Sequence, residues 1–343
     1  MMLARRGVRR NSEIAIAFVV MTGLCHAAAA DELKPTDETL KALLAAARQA
    51  NNAYDWQNRE NPLPRPHAAL IPAFLAYADL RREGTDAIIA LDWVAENAGH
   101  AERDPVKAAT IIAGVTDRLE KMDKANKTVR ESIAFAEYLR GNLLYLEQPA
   151  TGFRSHDAVQ SSVTEEKRVG EALAAFRKAA AANPDGEYGK RAAEFIPEIE
   201  HQRPGRKAPE RIGADPAGKP VRVGDFKGQV VVLKFWGSWY GTAGDQFESE
   251  REALRRWRDR GVVVVLAETM GLGAPVRVTL LSQPDGKVDS AAVASKEGER
   301  NTDWSLRGLP QTYVIDGDGV VRFVSFSQKD EKLVDAVGAL LKK

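Results

Sequence analysis

The hydrophobic period of this chain changes once, near residue 204, and that change limits the architectures open to it. Upstream, apolar residues recur at helical spacing. Leu40, Leu43, Leu44 and Ala47 follow i, i+3, i+4, i+7, and Ile71, Phe74, Leu75, Tyr77 and Ala78 form a second stripe. Downstream, residues 230–236 are an apolar run interrupted only by Lys234, and residues 262–266 are four valines and a leucine. Such runs mark strands buried on both faces. At roughly 100–200 residues per domain, the chain is long enough for two. The change of period therefore predicts an all-α domain over residues 31–203 and an α/β domain over residues 204–343.

Within the first half, helices are expected over 85–98, 104–122, 127–146, 164–182 and 187–201. Asp104-Pro105 is a start signal, an N-cap followed by proline at the first helical position. Asn183-Pro184-Asp185-Gly186 reads as a turn. The last two helices resemble a tetratricopeptide-type (TPR-like) hairpin, in which Ala172, Ala175, Phe176 and Ala179 would meet Tyr188, Ala192 and Phe195. No period of about 34 residues recurs, so a non-repeating helical bundle is the alternative. Pro197 is expected to kink or end the last helix. Residues 149–162 read as a polar loop, and residues 202–207, rich in Pro, Gly and charge, as the interdomain linker.

Residues 1–30 read as a secretory signal peptide. Arg5, Arg6, Arg9 and Arg10 form a positive region, residues 14–24 an apolar run too short to span a bilayer, and Ala27 to Ala30 the small residues a signal peptidase needs. The expectation is an exported protein of the periplasm or cell envelope, starting at Asp31, with no transmembrane span in its mature chain. The single cysteine of the sequence, Cys25, lies inside this segment, so the exported form would hold no thiol.

In the second half, short strands are expected at 220–223, 230–236, 262–266, 312–315 and 320–326, with surface helices at 247–260 and 333–341. Asp316-Gly317-Asp318-Gly319 joins the last two strands as a hairpin turn. This order of elements is an α/β sandwich with a mixed sheet.

Residues 230–254, VVVLKFWGSWYGTAGDQFESEREAL, resemble the active-site strand, loop and helix of thioredoxin-like proteins. They are most similar to the exported redoxin and TlpA-like (AhpC/TSA-type) branch, which often reads FWxxWCGPC here. Phe235, Trp236, Trp239 and Gly241 match. About 70 residues on, Gly308-Leu309-Pro310-Gln311-Thr312-Tyr313-Val314-Ile315-Asp316 resembles the strand that carries that family's cis-proline. The resemblance covers roughly residues 205–343, and residues 271–303 fit no pattern. It implies a thioredoxin-like sandwich with a cis Pro310.

Where the family places its two catalytic cysteines, this chain has Tyr240 and Ala243. Thiol–disulfide exchange needs a thiolate and a resolving thiol. A phenol of pKa about 10 and a methyl group supply neither. No catalytic residue is therefore expected. What remains is a groove: Trp236, Trp239 and Tyr240 beside Leu309 and Pro310, with Thr242 and Asp245 at capping-box spacing on the following helix. The resemblance implies that such a groove pairs with an extended peptide; the alternative is that these aromatics only pack the core. The reading is a non-catalytic binding or scaffolding protein with a peptide or protein partner at this groove. Two alternatives stand beside it. One is a redoxin-class oxidoreductase working by another mechanism; the other is a structural exported protein whose partner site lies on the helical domain.

Other chemistry finds no footing. The net charge of +1 gives no field for nucleic acid. His67, His100, His156 and His201 lack the spacing of a helical metal pair, and no metal or cofactor is expected. The α/β half has neither Cys nor His to build an activated nucleophile.

Overall fold

The structure is a computed structural model that describes residues 35–53, 66–146, 165–237, 257, 259–269, 276–280, 302–306, 308–325 and 331–341. The expected signal peptide, the 149–162 loop and most of the expected helix at 247–260 lie outside these residues.

The helical stripes fold as their spacing requires. The helices are α1 (Asp37–Ala53), α2 (Pro66–Arg81), α3 (Thr85–Ala101), α4 (Pro105–Leu119), α5 (Lys127–Leu146), α6 (Glu166–Ala182) and α7 (Glu187–His201). Leu43, Leu70, Phe74, Leu91, Ile112 and Leu119 are fully buried, each worth about 1.5–3 kcal/mol of hydrophobic transfer. Asp104 caps α4 as its sequence predicts, accepting from the backbone N–H groups of Val106 (2.9 Å) and Lys107 (3.3 Å). Pro197 lies inside α7 and does not end it, since the helix continues to His201.

The small-residue face of α6 packs on α5. Ala172, Ala175, Phe176 and Ala179 are all fully buried, and α6 packs most heavily on α5. There Gly141 lets the Phe176 ring approach closely: a Cβ at Gly141 would lie 2.6 Å from Phe176 Cε1. Tyr188 likewise meets α5, through Phe135 (4.8 Å between ring centroids) and Tyr138 (5.6 Å).

The chain divides into two compact units, and the division falls inside α7. The helical unit runs to Ala193, and the second unit takes up the chain from Glu194 to the C-terminus. The second unit is built on a seven-stranded mixed sheet in the order β2-β1-β5-β4-β3-β6-β7. Its strands are β1 (Arg211–Ala214), β2 (Pro220–Arg222), β3 (Val231–Trp236), β4 (Val263–Thr269), β5 (Val276–Leu280), β6 (Gln311–Ile315) and β7 (Val321–Ser325). Helix α8 (Glu331–Leu340) closes the chain. β3 runs parallel to β4 and antiparallel to β6.

Alternation along β3 feeds two cores. Val231, Leu233 and Phe235 join Val263, Val265, Tyr313 and Ile315 on one face. Val232 joins Trp257, Val264, Val314 and Val337 of α8 on the other. The Asp316–Gly319 hairpin forms as expected: Asp316 Oδ1 accepts from the N–H groups of Asp318 and Val320, and Gly319 sits at φ +75°.

The expected linker at 202–207 is part of the second unit instead. Gln202 is 2% exposed. Gly205 N–H donates to the Val321 carbonyl (2.7 Å), Val321 N–H to the Arg206 carbonyl (2.9 Å), and Lys207 bridges Val320. A sheet edge carries backbone groups that seek partners, and this segment supplies them to β7. Two strands, β1 and β5, have no counterpart in the sequence expectations. β1 contains Gly213, where a Cβ would meet the Val276 carbonyl oxygen at 2.6 Å; glycine lets β1 lie against β5.

Candidate functional site

The β3–β6 register sets the site. Their last paired residues are Phe235 and Gln311, so Trp236 and the Leu309-Pro310 segment emerge at the same end of the sheet. The Leu309–Pro310 peptide bond is cis, as expected. Trp236 and Leu309 nevertheless serve different faces. Trp236 packs with the cluster of Val232, Trp257 and Val264, and Leu309 with that of Phe235, Trp304 and Tyr313. Trp239, Tyr240, Thr242 and Ala243 lie outside the described residues.

On the Leu309 face an aromatic group stands beneath the strand ends. The Trp304 ring lies 4.5 Å from that of Tyr313 and 5.4 Å from that of Phe235, and Phe235 meets Tyr313 edge-on at 6.1 Å. Such tilted contacts suit the ring quadrupoles. Trp304 is held by its neighbours in the chain. Thr302 Oγ1 donates to the Arg211 carbonyl (3.2 Å), and Asp303 exchanges two 2.9 Å hydrogen bonds with the Arg211 backbone. Ser305 Oγ donates to the Glu194 carbonyl (2.7 Å). Gln202, oriented by its hydrogen bonds, donates to the Ser305 carbonyl (2.9 Å) and the Tyr313 hydroxyl (3.2 Å) and accepts from Ser305 N–H. Two polar atoms here are left over. Trp304 Nε1 and Gln311 Oε1 are buried with no hydrogen-bond partner among the described residues, and each bears a desolvation cost.

The opposite face carries a polar layer. Lys234 is 6% exposed and stands between Leu266 and Thr312 in register. Thr312 is paired with Ser325, and both are buried. Trp236 stands beside Glu268, which is paired with Arg277; that ion pair measures 3.8 Å and is largely buried. Lys234 announces this layer in the sequence, as the one charge inside an apolar run. Glu268 and Arg277 escaped sequence reasoning because Arg277 belongs to a stretch without a recognisable pattern. Among the described residues, no group of three His, Cys, Asp or Glu is placed to hold a metal ion, and no helix is long and apolar enough to cross a membrane.

Residues 204–324 match the sequence model of the AhpC/TSA family. The thiol-disulfide oxidoreductase ResA of Bacillus thuringiensis subsp. konkukian is 28% identical over 130 residues, covering 38% of this chain and 73% of ResA. ResA of Bacillus subtilis is 26% identical over 132 residues, covering 38% and 72%. Among solved structures, a putative thiol:disulfide interchange protein DsbE from Chlorobium tepidum is 21% identical, covering 40% of this chain and 98% of its own, with a TM-score of 0.28. A thioredoxin-like protein from Bacteroides caccae is 10% identical, covering 82% and 95%, with a TM-score of 0.34. The family match and the mixed sheet make the C-terminal region a thioredoxin-like domain of the redoxin family.

Proposed function

We propose that this thioredoxin-like domain is a binding module, which captures an extended peptide or a protein partner without thiol–disulfide turnover, in a protein exported to the periplasm or cell envelope. The observation that carries the reading is the place of the one cysteine. Cys25 lies far outside the family match at 204–324, so the domain has no thiol of its own. Exchange requires a thiolate to attack a disulfide sulfur and a second thiol to resolve the product. Tyr240 and Ala243, at the positions the motif assigns to that chemistry, can do neither.

A peptide surface survives this loss. The β3–β6 ladder ends at Phe235–Gln311, which puts the Leu309–Pro310 segment at the strand end where the reading places backbone pairing with an extended chain. Leu309 and Pro310 would line that chain, and Trp239, Tyr240 and Thr242, which the sequence motif assigns to the same groove, are the residues by which the reading is tested. Export rests on the Arg-rich start, the apolar run at 14–24 and the alanines that follow.

The test is an insulin-reduction assay with a peptide-binding screen. The wild-type protein is expected to match the no-protein control in reduction, and Trp239→Ala or Tyr240→Ala to weaken peptide binding. Turnover by wild type, or binding indifferent to both substitutions, refutes the reading. The converse experiment restores the chemistry: Tyr240→Cys with Ala243→Cys is expected to gain insulin reduction well above wild type, because fold and cis-proline are already in place. No gain would mean that the motif is misplaced in this chain.

A further inference from the structure

Helix α7 belongs to both compact units: its residues up to Ala193 fall in the helical unit and those from Glu194 in the second. A helix shared in this way is either a strut or a hinge, and the residues at the crossing decide which. Pro197 lies inside α7. Proline has no backbone N–H, so the bond that would close on the carbonyl four residues back is never made, and its ring crowds that same carbonyl. Four residues back from Pro197 is Ala193, the last residue of the helical unit. The missing bond of the helix and the boundary between the units therefore coincide. Ala193 is exposed, where water can serve the carbonyl that the proline forgoes. Sharp helix bends concentrate at prolines of this kind.

Both ends of α7 are fastened, each within its own unit. On the N-terminal side, Tyr188 packs its ring on those of Phe135 (4.8 Å) and Tyr138 (5.6 Å) of α5. Gly189 lies so near the α6–α7 turn that a Cβ there would stand 1.9 Å from the Asn183 carbonyl oxygen. Ala192 is fully buried. On the C-terminal side, the Glu194 carbonyl accepts from Ser305 Oγ (2.7 Å). Ile199 is buried, and Gln202, just past the helix, is held by Ser305 and the Tyr313 hydroxyl. Two fastened segments with a missing backbone bond between them are the parts of a hinge, which takes up its φ and ψ change in a few residues. Location, not proline itself, makes the difference. Pro72 also lies inside a helix, but α2 falls wholly within the helical unit.

We propose that α7 is a hinge, bending at the turn from Ala193 to Pro197, and that the two units turn about it as separate bodies.

The test uses the full chain with Cys25→Ser, so that introduced cysteines alone carry spin labels. Lys107→Cys labels the helical unit and Lys219→Cys the second, both at exposed positions. Double electron–electron resonance reads the distribution of distances between the labels. A broad distribution is expected. Pro197→Ala, which returns the N–H and removes the ring, is expected to narrow it, and Pro72→Ala to leave it as in wild type. Amide hydrogen exchange reads the same turn locally: in Pro197→Ala the amides next to residue 197 are expected to exchange about tenfold more slowly or less, since alanine far outranks proline in a helix interior. A narrow distribution in the wild type, a width or an exchange rate unchanged by Pro197→Ala, or equal narrowing by Pro72→Ala overturns the proposal.

Discussion

Replacing Asp92 with asparagine removes a charge that the helical unit carries at a cost. Asp92 lies on α3 and faces Ser132 on α5. Burial is the main cause of its raised pKa, from 3.8 to about 6. At about 1.4 kcal/mol per pKa unit, the roughly 2-unit rise corresponds to up to about 3 kcal/mol of differential stability. The sign follows from proton uptake. Between pH 3.8 and about 6 the folded protein holds a proton on Asp92 that the unfolded chain has released. Stability from this group is therefore full below the unfolded pKa and lost as the pH rises through the folded one. Asparagine keeps the acceptor for Ser132 and never ionises. Asp92→Asn is thus expected to leave stability nearly unchanged near pH 4 and to raise it by up to about 3 kcal/mol near pH 7.5. Urea unfolding by far-UV circular dichroism, repeated across this range for both proteins, reads the difference. A stability difference constant with pH would refute the reasoning, since it would mean that Asp92 titrates alike in the folded and unfolded chain.

Three further substitutions probe the packing and the sheet. Gly141→Ala places a methyl group 2.6–2.8 Å from ring atoms of buried Phe176; it is expected to cost about 1–3 kcal/mol despite the roughly 1 kcal/mol by which alanine favours a helix, and Phe176→Leu in the same chain should recover part of the loss in urea unfolding. Gln202→Leu strips the Tyr313 hydroxyl and the Ser305 backbone of their shared partner, and a loss of about 1–3 kcal/mol is expected in thermal or urea unfolding of the C-terminal unit. Asp316 shows pH behaviour opposite to Asp92: burial raises its pKa, but hydrogen bonds from Val320 N–H and Arg322 prevail and lower it. Asp316→Ala is therefore expected to cost about 1–2 kcal/mol at neutral pH, and the difference from wild type should shrink as acid takes the pH below the ordinary carboxylate range, because the stability that Asp316 contributes is lost through its folded pKa.

Much of this protein is settled by local sequence. Helical spacing places α1 to α7, because an amphipathic stripe can bury itself in one way only. Asp104-Pro105 starts α4 and Asp316–Gly319 turns β6 into β7 through contacts within a few residues of chain. The want of a thiol between residues 204 and 343 is also a fact of sequence, and no packing can supply one.

Tertiary structure decided what depends on residues far apart along the chain. β1 is four residues long and β5 five; neither carries enough pattern to declare itself, and each exists because a neighbouring strand completes its hydrogen bonds. Residues 202–207 have the composition of a linker, yet the edge of β7 recruits them. Gly141 on α5 leaves room for the Phe176 ring of α6, a fit between helices that no local pattern signals. Asp92 and Ser132 lie forty residues apart in sequence, and no periodicity signals that they meet. Local preference chooses the elements; burial and backbone satisfaction, which only the assembled chain can meet, choose their partners.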